Sequence, residues 1–250
     1  MNDSNPVAYP QLSGKTVLFG HQSVGQNIID GLLGHADRFP GIQAIALADL
    51  ADSPQPGMLI HTPVGVNTQP LSKLAGFAEI LQSGLPAPVD LALMKFCYID
   101  INENTDIDQL FGQYREHLDQ LQDTLPDTRL LHITVPLRTI ASGPSIWMRE
   151  WLGRTNHSKL ANIRRNEFNQ RLIDCYGEDG VFDLAAGEAT LESGRARHFS
   201  YGDRSLKYYA LADEFSSDGG HLNARGQLKL AADLLQFLER AAADSKASGA

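Results

Sequence analysis

Hydrophobic and polar positions along the chain switch repeatedly between two periods. Thr16 to Phe19 is a short apolar run of β-branched and aromatic residues, the pattern of a buried strand. Gly20 breaks it, and Val24, Ile28 and Leu32 then recur at helical spacing until Gly31 to Gly34. Ile42 to Leu50 predicts a second strand, whereas residues 51–70, with four prolines and two glycines, predict an irregular loop. Lys73 to Gln82 reads as a helix. Asp90 to Ile99 is almost continuously apolar, as a strand covered on both faces of a parallel sheet must be. A polar cluster, Asp100 to Asp106, leads into a helix over Asp108 to Leu125.

Arg129 to Val135 predicts another central strand, closed by Pro136, and residues 138–158 carry no period. Asn162 to Tyr176 predicts a helix and Val181 to Leu184 a short strand. Ala185 to Ser217 mixes Gly, Ser, Arg and Tyr without periodicity, which predicts a long surface loop or lid. Ala224 to Ala241 is the clearest helix, with a stripe at Leu228, Ala231, Leu235 and Leu238. Strands alternating with helices predict an α/β chain whose parallel sheet is covered on both faces. The expected organisation is an extended lead-in over 1–14, a single domain over 15–241 and a frayed tail over 242–250.

Composition narrows the partners more than the fold. A hydrophobic content of 42% over 250 residues supplies a full core. The formal net charge of −9 opposes a nucleic-acid groove, because phosphate binding needs clustered Lys and Arg. Two cysteines, Cys97 and Cys175, make neither a disulfide framework nor a Cys-rich zinc site, and both are expected as buried small hydrophobes. No two histidines stand at a ligand spacing such as H-x-x-x-H, so the histidines predict no zinc site; no cofactor is expected. No apolar run reaches the length of a membrane span. The N-terminal residues lack the charged and apolar regions of a signal peptide, so the chain as given reads as cytoplasmic; removal of a leader would instead make it periplasmic or secreted.

Two short stretches carry chemistry. Ser23 falls where a strand hands over to a helix N-terminus, where free N–H groups and the positive dipole end favour negative charge. A hydroxyl there can attack a carbonyl while its own N–H holds the oxyanion, or it can serve as a plain helix cap. Before the last helix, Asp218 and His221 stand three apart across two glycines. That spacing lets a carboxylate accept from one imidazole nitrogen and leaves the other nitrogen as a base; the alternative is a simple Asx-turn with Asn223 capping the helix. The G-x-S-x-G elbow of the ordinary α/β-hydrolases is not met, because His21 stands at its first glycine.

Together, Ser23 after the first strand and Asp218-Gly-Gly-His221-Leu-Asn before the last helix resemble the SGNH hydrolases, the GDSL-like lipase and esterase superfamily, over residues 15–240. The resemblance implies a flavodoxin-like three-layer α/β/α sandwich with a Ser23, His221 and Asp218 triad and no metal. It also implies oxyanion donors from the backbones of Ser23 and Gly65. The third family block, Gly-x-Asn-Asp, reads Cys97-Tyr98-Ile99-Asp100 here, so its asparagine donor is missing; Asn67, Tyr98 or Asn102 are the substitutes. Losing one such donor costs on the order of a hundredfold in rate.

The expected activity is therefore a metal-independent serine esterase acting on a small-molecule or glycan ester, including acetylated carbohydrate. A polysaccharide acyltransferase would use the same residues, and a non-catalytic binding or assembly protein on this fold is the alternative from another class. His21, His61, Tyr98 and Asp100 are candidate substrate contacts, His21 equally a satisfied histidine and His61 more often solvated. His132, inside an apolar strand, is expected as a core histidine. Trp147, Trp151, Tyr201, Tyr208 and Tyr209 are expected to pack loops onto the core, although aromatic rings can also stack on sugars. Arg195, Arg197 and Arg204 are expected to be solvated.

Overall fold

The computed structural model describes residues 6–141, 156–201 and 203–244. In chain order the strands are β1 (Val17–His21), β2 (Gln43–Ala46), β3 (Met58–Pro63), β4 (Leu91–Met94), β5 (Arg129–Ile133), β6 (Val181–Phe182), β7 (His198–Tyr201) and β8 (Asp203–Tyr209). The α-helices are α1 (Ser23–Leu33), α2 (Pro70–Glu79), α3 (Ile107–Thr124), α4 (His157–Tyr176), α5 (Leu184–Ala189) and α6 (Ala224–Asp244). Six strands form one parallel sheet in the order β2-β3-β1-β4-β5-β6, and β7 and β8 form a separate antiparallel pair. Without the edge strand β2, the order is second, first, third, fourth, fifth, that of a flavodoxin-like doubly wound sheet.

Alternation along β1 creates the three layers. Val17 and Phe19 face a core shared with α1 and α6, while Leu18 faces a core shared with α2, α3 and α4. β4 divides the same way, Leu91 and Leu93 on the first face, Ala92 and Met94 on the second. Each fully buried Leu or Ile here contributes about 1.5–3 kcal/mol relative to exposure. After β1 the chain passes to β3 on one side, then returns to β4 on the other. That reversal opens a crevice beyond the C-terminal ends of β1 and β4, where open α/β sheets place their ligands.

The helix α1 reaches this crevice because two glycines let it approach its neighbours. A Cβ at Gly25 would lie 2.3 Å from His21 Cβ, and one at Gly31 would lie 2.4 Å from the Gln227 carbonyl oxygen of α6. Neither gap admits a methyl group.

The parallel α/β sandwich stands as expected, but several local expectations are corrected. β3 runs through the proline-rich 51–70 segment: its prolines bracket Leu59 and Ile60, which are fully buried between sheet neighbours. α4 begins at His157, five residues before the predicted start, because Asn156 caps it by accepting from Lys159 N. The predicted strand Val181 to Leu184 stops at Phe182, since Asp183 accepts from Ala186 N and turns the chain into α5. The stretch 185–217, read as irregular, holds most of α5 and the β7–β8 hairpin, whose Phe199–Tyr208 and His198–Tyr209 ring pairs are local and leave no long amphipathic period. α6 continues to Asp244, with Ala242 buried, so residues 242–244, expected in the frayed tail, are helical. The lead-in is likewise tied down: Tyr9 and Leu12 are buried, and Glu239 accepts from the N–H groups of Gln11 and Leu12. Cys97 is buried as expected, whereas Cys175 is exposed. Among the described residues no helix is long and apolar enough to cross a membrane.

The approach of α1 to α6 gives a direct test. Gly31→Ala should destabilise the protein by about 1–3 kcal/mol through overpacking, read as a lower urea midpoint at unchanged m-value.

Candidate active site

The crevice floor is built by the end of β1. His21 is 1% exposed; its Nδ1 lies 3.2 Å from the Gln22 carbonyl oxygen and its Nε2 lies 3.1 Å from His61 Nδ1. Burial, then the neighbouring His61, lowers the His21 pKa to about 4, and burial also lowers that of His61. The two neutral rings therefore share one hydrogen bond beneath the site. Buried and bonded to each other, they form its support and leave the role of substrate contact.

Ser23 opens α1 and its side chain is exposed. Gln22 precedes the helix without a side-chain cap bond, and among the described residues Ser23 Oγ makes no hydrogen bond. The hydroxyl is thus not spent on capping. Gln22 instead reaches sideways, donating through Nε2 to the carbonyl oxygens of Val64 at 2.9 Å and Gly65 at 3.0 Å. This clamps the β3 loop to the start of α1. Gly65 has φ +56°, and a Cβ there would lie 2.5 Å from Lys73 N, so only glycine lets the loop lie against α2. Among the described residues no hydrogen bond engages the N–H of Ser23 or of Gly65.

Beneath that loop lies a buried ion pair. Lys73 and Asp100 bond through Nζ and Oδ2, both side chains wholly shielded from water. Lys73 Nζ also donates to Asn67 Oδ1 at 3.0 Å. Asp100 accepts further from Thr68 N at 2.8 Å and Cys97 N at 2.6 Å. Asp100 is therefore an internal tie between the β3 and β4 loops and not a substrate contact. Asn102 is exposed and accepts from Asn104 N at 2.9 Å, which engages its carbonyl in a local turn.

The Asp218–His221 turn closes the other side. Asp218 Oδ2 lies 2.6 Å from His221 Nδ1, while Oδ1 accepts from His221 N at 2.8 Å and Gly220 N at 2.9 Å. The His221 backbone N–H, the His221 ring and the Gly220 N–H, in that order, hold the Asp218 carboxyl well below the usual carboxylate range. An ionised partner at Nδ1 leaves Nε2 as the basic nitrogen. Gly219 has φ +79°, a conformation that favours glycine, and a Cβ at Gly220 would press on the Tyr98 ring at 3.1 Å. Asn223 accepts from the N–H groups of Arg225 and Gly226 and starts α6. The turn is docked on α1 where Asn27 Oδ1 accepts from Leu222 N at 3.1 Å. Asn27 lies one helical turn after Ser23 on the same face. Among the described residues no hydrogen bond joins Ser23 Oγ to His221.

Tyr98 stands against His221 edge to face, ring centres 5.9 Å apart. Arg138 lies 5.4 Å from the centre of the Tyr98 ring and donates from Nε to the Gly219 carbonyl oxygen. Arg165, buried, donates to the Tyr98 carbonyl oxygen at 2.8 Å, and desolvation lowers its pKa to about 10. Below them Lys95 is fully buried, its ammonium disfavoured chiefly by desolvation, and desolvation raises the carboxyl of the equally buried Glu188.

Ser23, Gly65, Asn67, Tyr98, Asp218 and His221 thus come from loops tied around one crevice. Lys73, Lys95, Arg138, Arg165 and Glu188 were not candidates from the sequence. Lys73 alone left a signal, a lysine on the stripe of Leu74 and Phe77 that α2 buries. The remaining candidates fall elsewhere. His132 bonds Tyr114 at 2.9 Å and stacks on Tyr176, a satisfied core histidine. Arg195 and Arg197 pair at the surface with Glu214 and Asp213. Trp147, Trp151 and the Arg204 side chain lie outside the described residues. Also among the described residues, no three His, Cys, Asp or Glu side chains gather as a metal site would require.

No protein-family model matches the chain, and no curated protein matches it. Solved structures of similar shape include the lipase/acylhydrolase from Enterococcus faecalis, at 14% identity and TM-score 0.47 over 90% of this chain and 95% of that one. A carbohydrate esterase family 3 from Talaromyces cellulolyticus aligns at 13% identity and TM-score 0.46 over 92% of this chain and 99% of that one.

The buried histidines set a pH dependence. Unfolding returns His21 from about 4 to about 6.5. The neutral ring's stabilisation is fully present above pH ~6.5 and is lost as pH falls toward 4, about 3 kcal/mol in all. Urea unfolding between pH 7.5 and 4.5 should therefore show a shallower loss for His21→Asn than for the wild type.

Proposed function

We propose that this chain is a serine-dependent carboxylic ester hydrolase, a divergent member of the SGNH superfamily that its end motifs resemble. The observation that carries the reading is the Asp218–His221 bond at 2.6 Å, docked through Asn27 on the helix that begins with an uncapped Ser23. In this mechanism His221 Nε2 removes the Ser23 proton as Oγ attacks the ester carbonyl carbon. Asp218 holds the tautomer and stabilises the imidazolium. The Ser23 and Gly65 N–H groups, both free of other partners among the described residues, receive the carbonyl oxygen as it becomes negative. Collapse expels the alcohol, which takes its proton from His221, and water then repeats the sequence on the acyl-enzyme.

Val66, next to Gly65, and Ile99, next to Tyr98, are exposed apolar side chains that suit a small acyl group or a sugar ring, so we place acetylated carbohydrate among the substrates. A polysaccharide hydroxyl in place of water would make the same residues an acyltransferase.

The test is turnover of 4-nitrophenyl acetate and of acetylated glycans by wild type and Ser23→Ala. Wild-type turnover should fall by at least about a thousandfold in Ser23→Ala and His221→Ala, and Asp218→Asn should lose about as much through the wrong tautomer. Wild-type protein that folds, turns over no ester and resists a serine-directed fluorophosphonate would instead establish a binding protein on this fold.

A further inference from the structure

Resting on that reading, we infer that Lys73 is a positioning residue, and that with Asp100 it sets Asn67 as the third oxyanion donor in place of the family asparagine whose position Ile99 holds. An ammonium only donates, so the Asn67 atom that it meets at 3.0 Å is the carbonyl oxygen. This fixes the amide's orientation and leaves both Nδ2 protons available, because among the described residues Asn67 makes no other side-chain hydrogen bond. Asn67 is exposed, two residues after Gly65, so backbone and side-chain donors lie on one loop.

Two further features show that the loop is held in place. Val66 to Gln69 is a tight turn closed by Gln69 N on the Val66 carbonyl oxygen. Its third residue, Thr68, has φ +69°, where a β-branched residue is an outlier and glycine or asparagine is usual. Asp100 restrains that strained residue directly, through Thr68 N at 2.8 Å. A strained turn beside a site, restrained by a buried charge, is the mark of a pre-organised group. Burying Lys73 and Asp100 is costly, and a packed apolar pair would serve stability at least as well. Their burial makes sense as a device for aiming Asn67.

The experiment measures kcat and KM on 4-nitrophenyl acetate for Asn67→Ala, Asn67→Asp, Lys73→Met and Lys73→Met combined with Asn67→Ala. Lys73→Met/Asp100→Asn is included because it leaves no lone buried charge and therefore folds more readily than Lys73→Met. Asn67→Ala should lower kcat by about a hundredfold with little change in KM, and Asn67→Asp by at least as much. Lys73→Met or the paired variant should lower kcat by at least about tenfold at intact KM, yet add less than about twofold on top of Asn67→Ala, since it acts through that residue. Unchanged kcat in Asn67→Ala, or losses that multiply, would overturn the assignment. Ser23→Ala separates the two readings: an active wild type and inactive Ser23→Ala with an unaffected Asn67→Ala sinks this inference alone. An inactive wild type that resists the fluorophosphonate sinks both.

Discussion

The structure depends on how closely α1 can lie to its neighbours. Gly25 sits on His21 and Gly31 on the backbone of α6, each at a distance that a methyl group would violate. Because α1 is pressed against both the sheet and α6, its first residue stands over the end of β1. The turn that starts α6 then docks on it through Asn27 and Leu222. Residues almost two hundred positions apart are joined by one helix-to-helix approach. Interiors packed to crystal density do not absorb an extra methyl by relaxing, so this contact transmits directly to the site.

Electrostatics follow the same economy. The chain carries a net charge of −9, yet the crevice is built over Lys73 and Lys95 and bordered by Arg138 and Arg165. Local placement, and not net charge, sets the field at that crevice. Asp100 holds Lys73, and the Tyr98 carbonyl oxygen and Asn162 hold Arg165, so these two cations also tie the β3 and β4 loops to α2 and α4. The carboxylate next to His221 is held ionised mainly by backbone N–H groups of its own turn.

The alternation of strands and helices was legible because β1, β4 and β5 are each buried on both faces and bounded by breakers. The ends of the candidate site were legible for a similar reason: Ser23 follows a strand break, and Asp218 to His221 is a local turn whose partners lie three residues apart. β3 was hidden because prolines at its borders outweighed a short apolar run. α5 and the β7–β8 hairpin were hidden because short elements held by ring pairs and a single Asp cap carry no sustained period. The partners of His61 and Asp100 were not legible, since a polar residue in a loop gives no sign of the group that buries it.

What the sequence by itself determined is the layer order of an α/β chain and the residues at its two chemical ends. These depend on periodicity and on contacts within a few positions. Only the tertiary structure decided that Gln22 clamps the Gly65 loop, that His21 and His61 bond each other, and that Lys73 and Asp100 meet beneath Asn67. Each of these joins groups on different strands or helices. A buried charge is tolerable only when its partner is present, and that partner is chosen by packing and not by sequence neighbours.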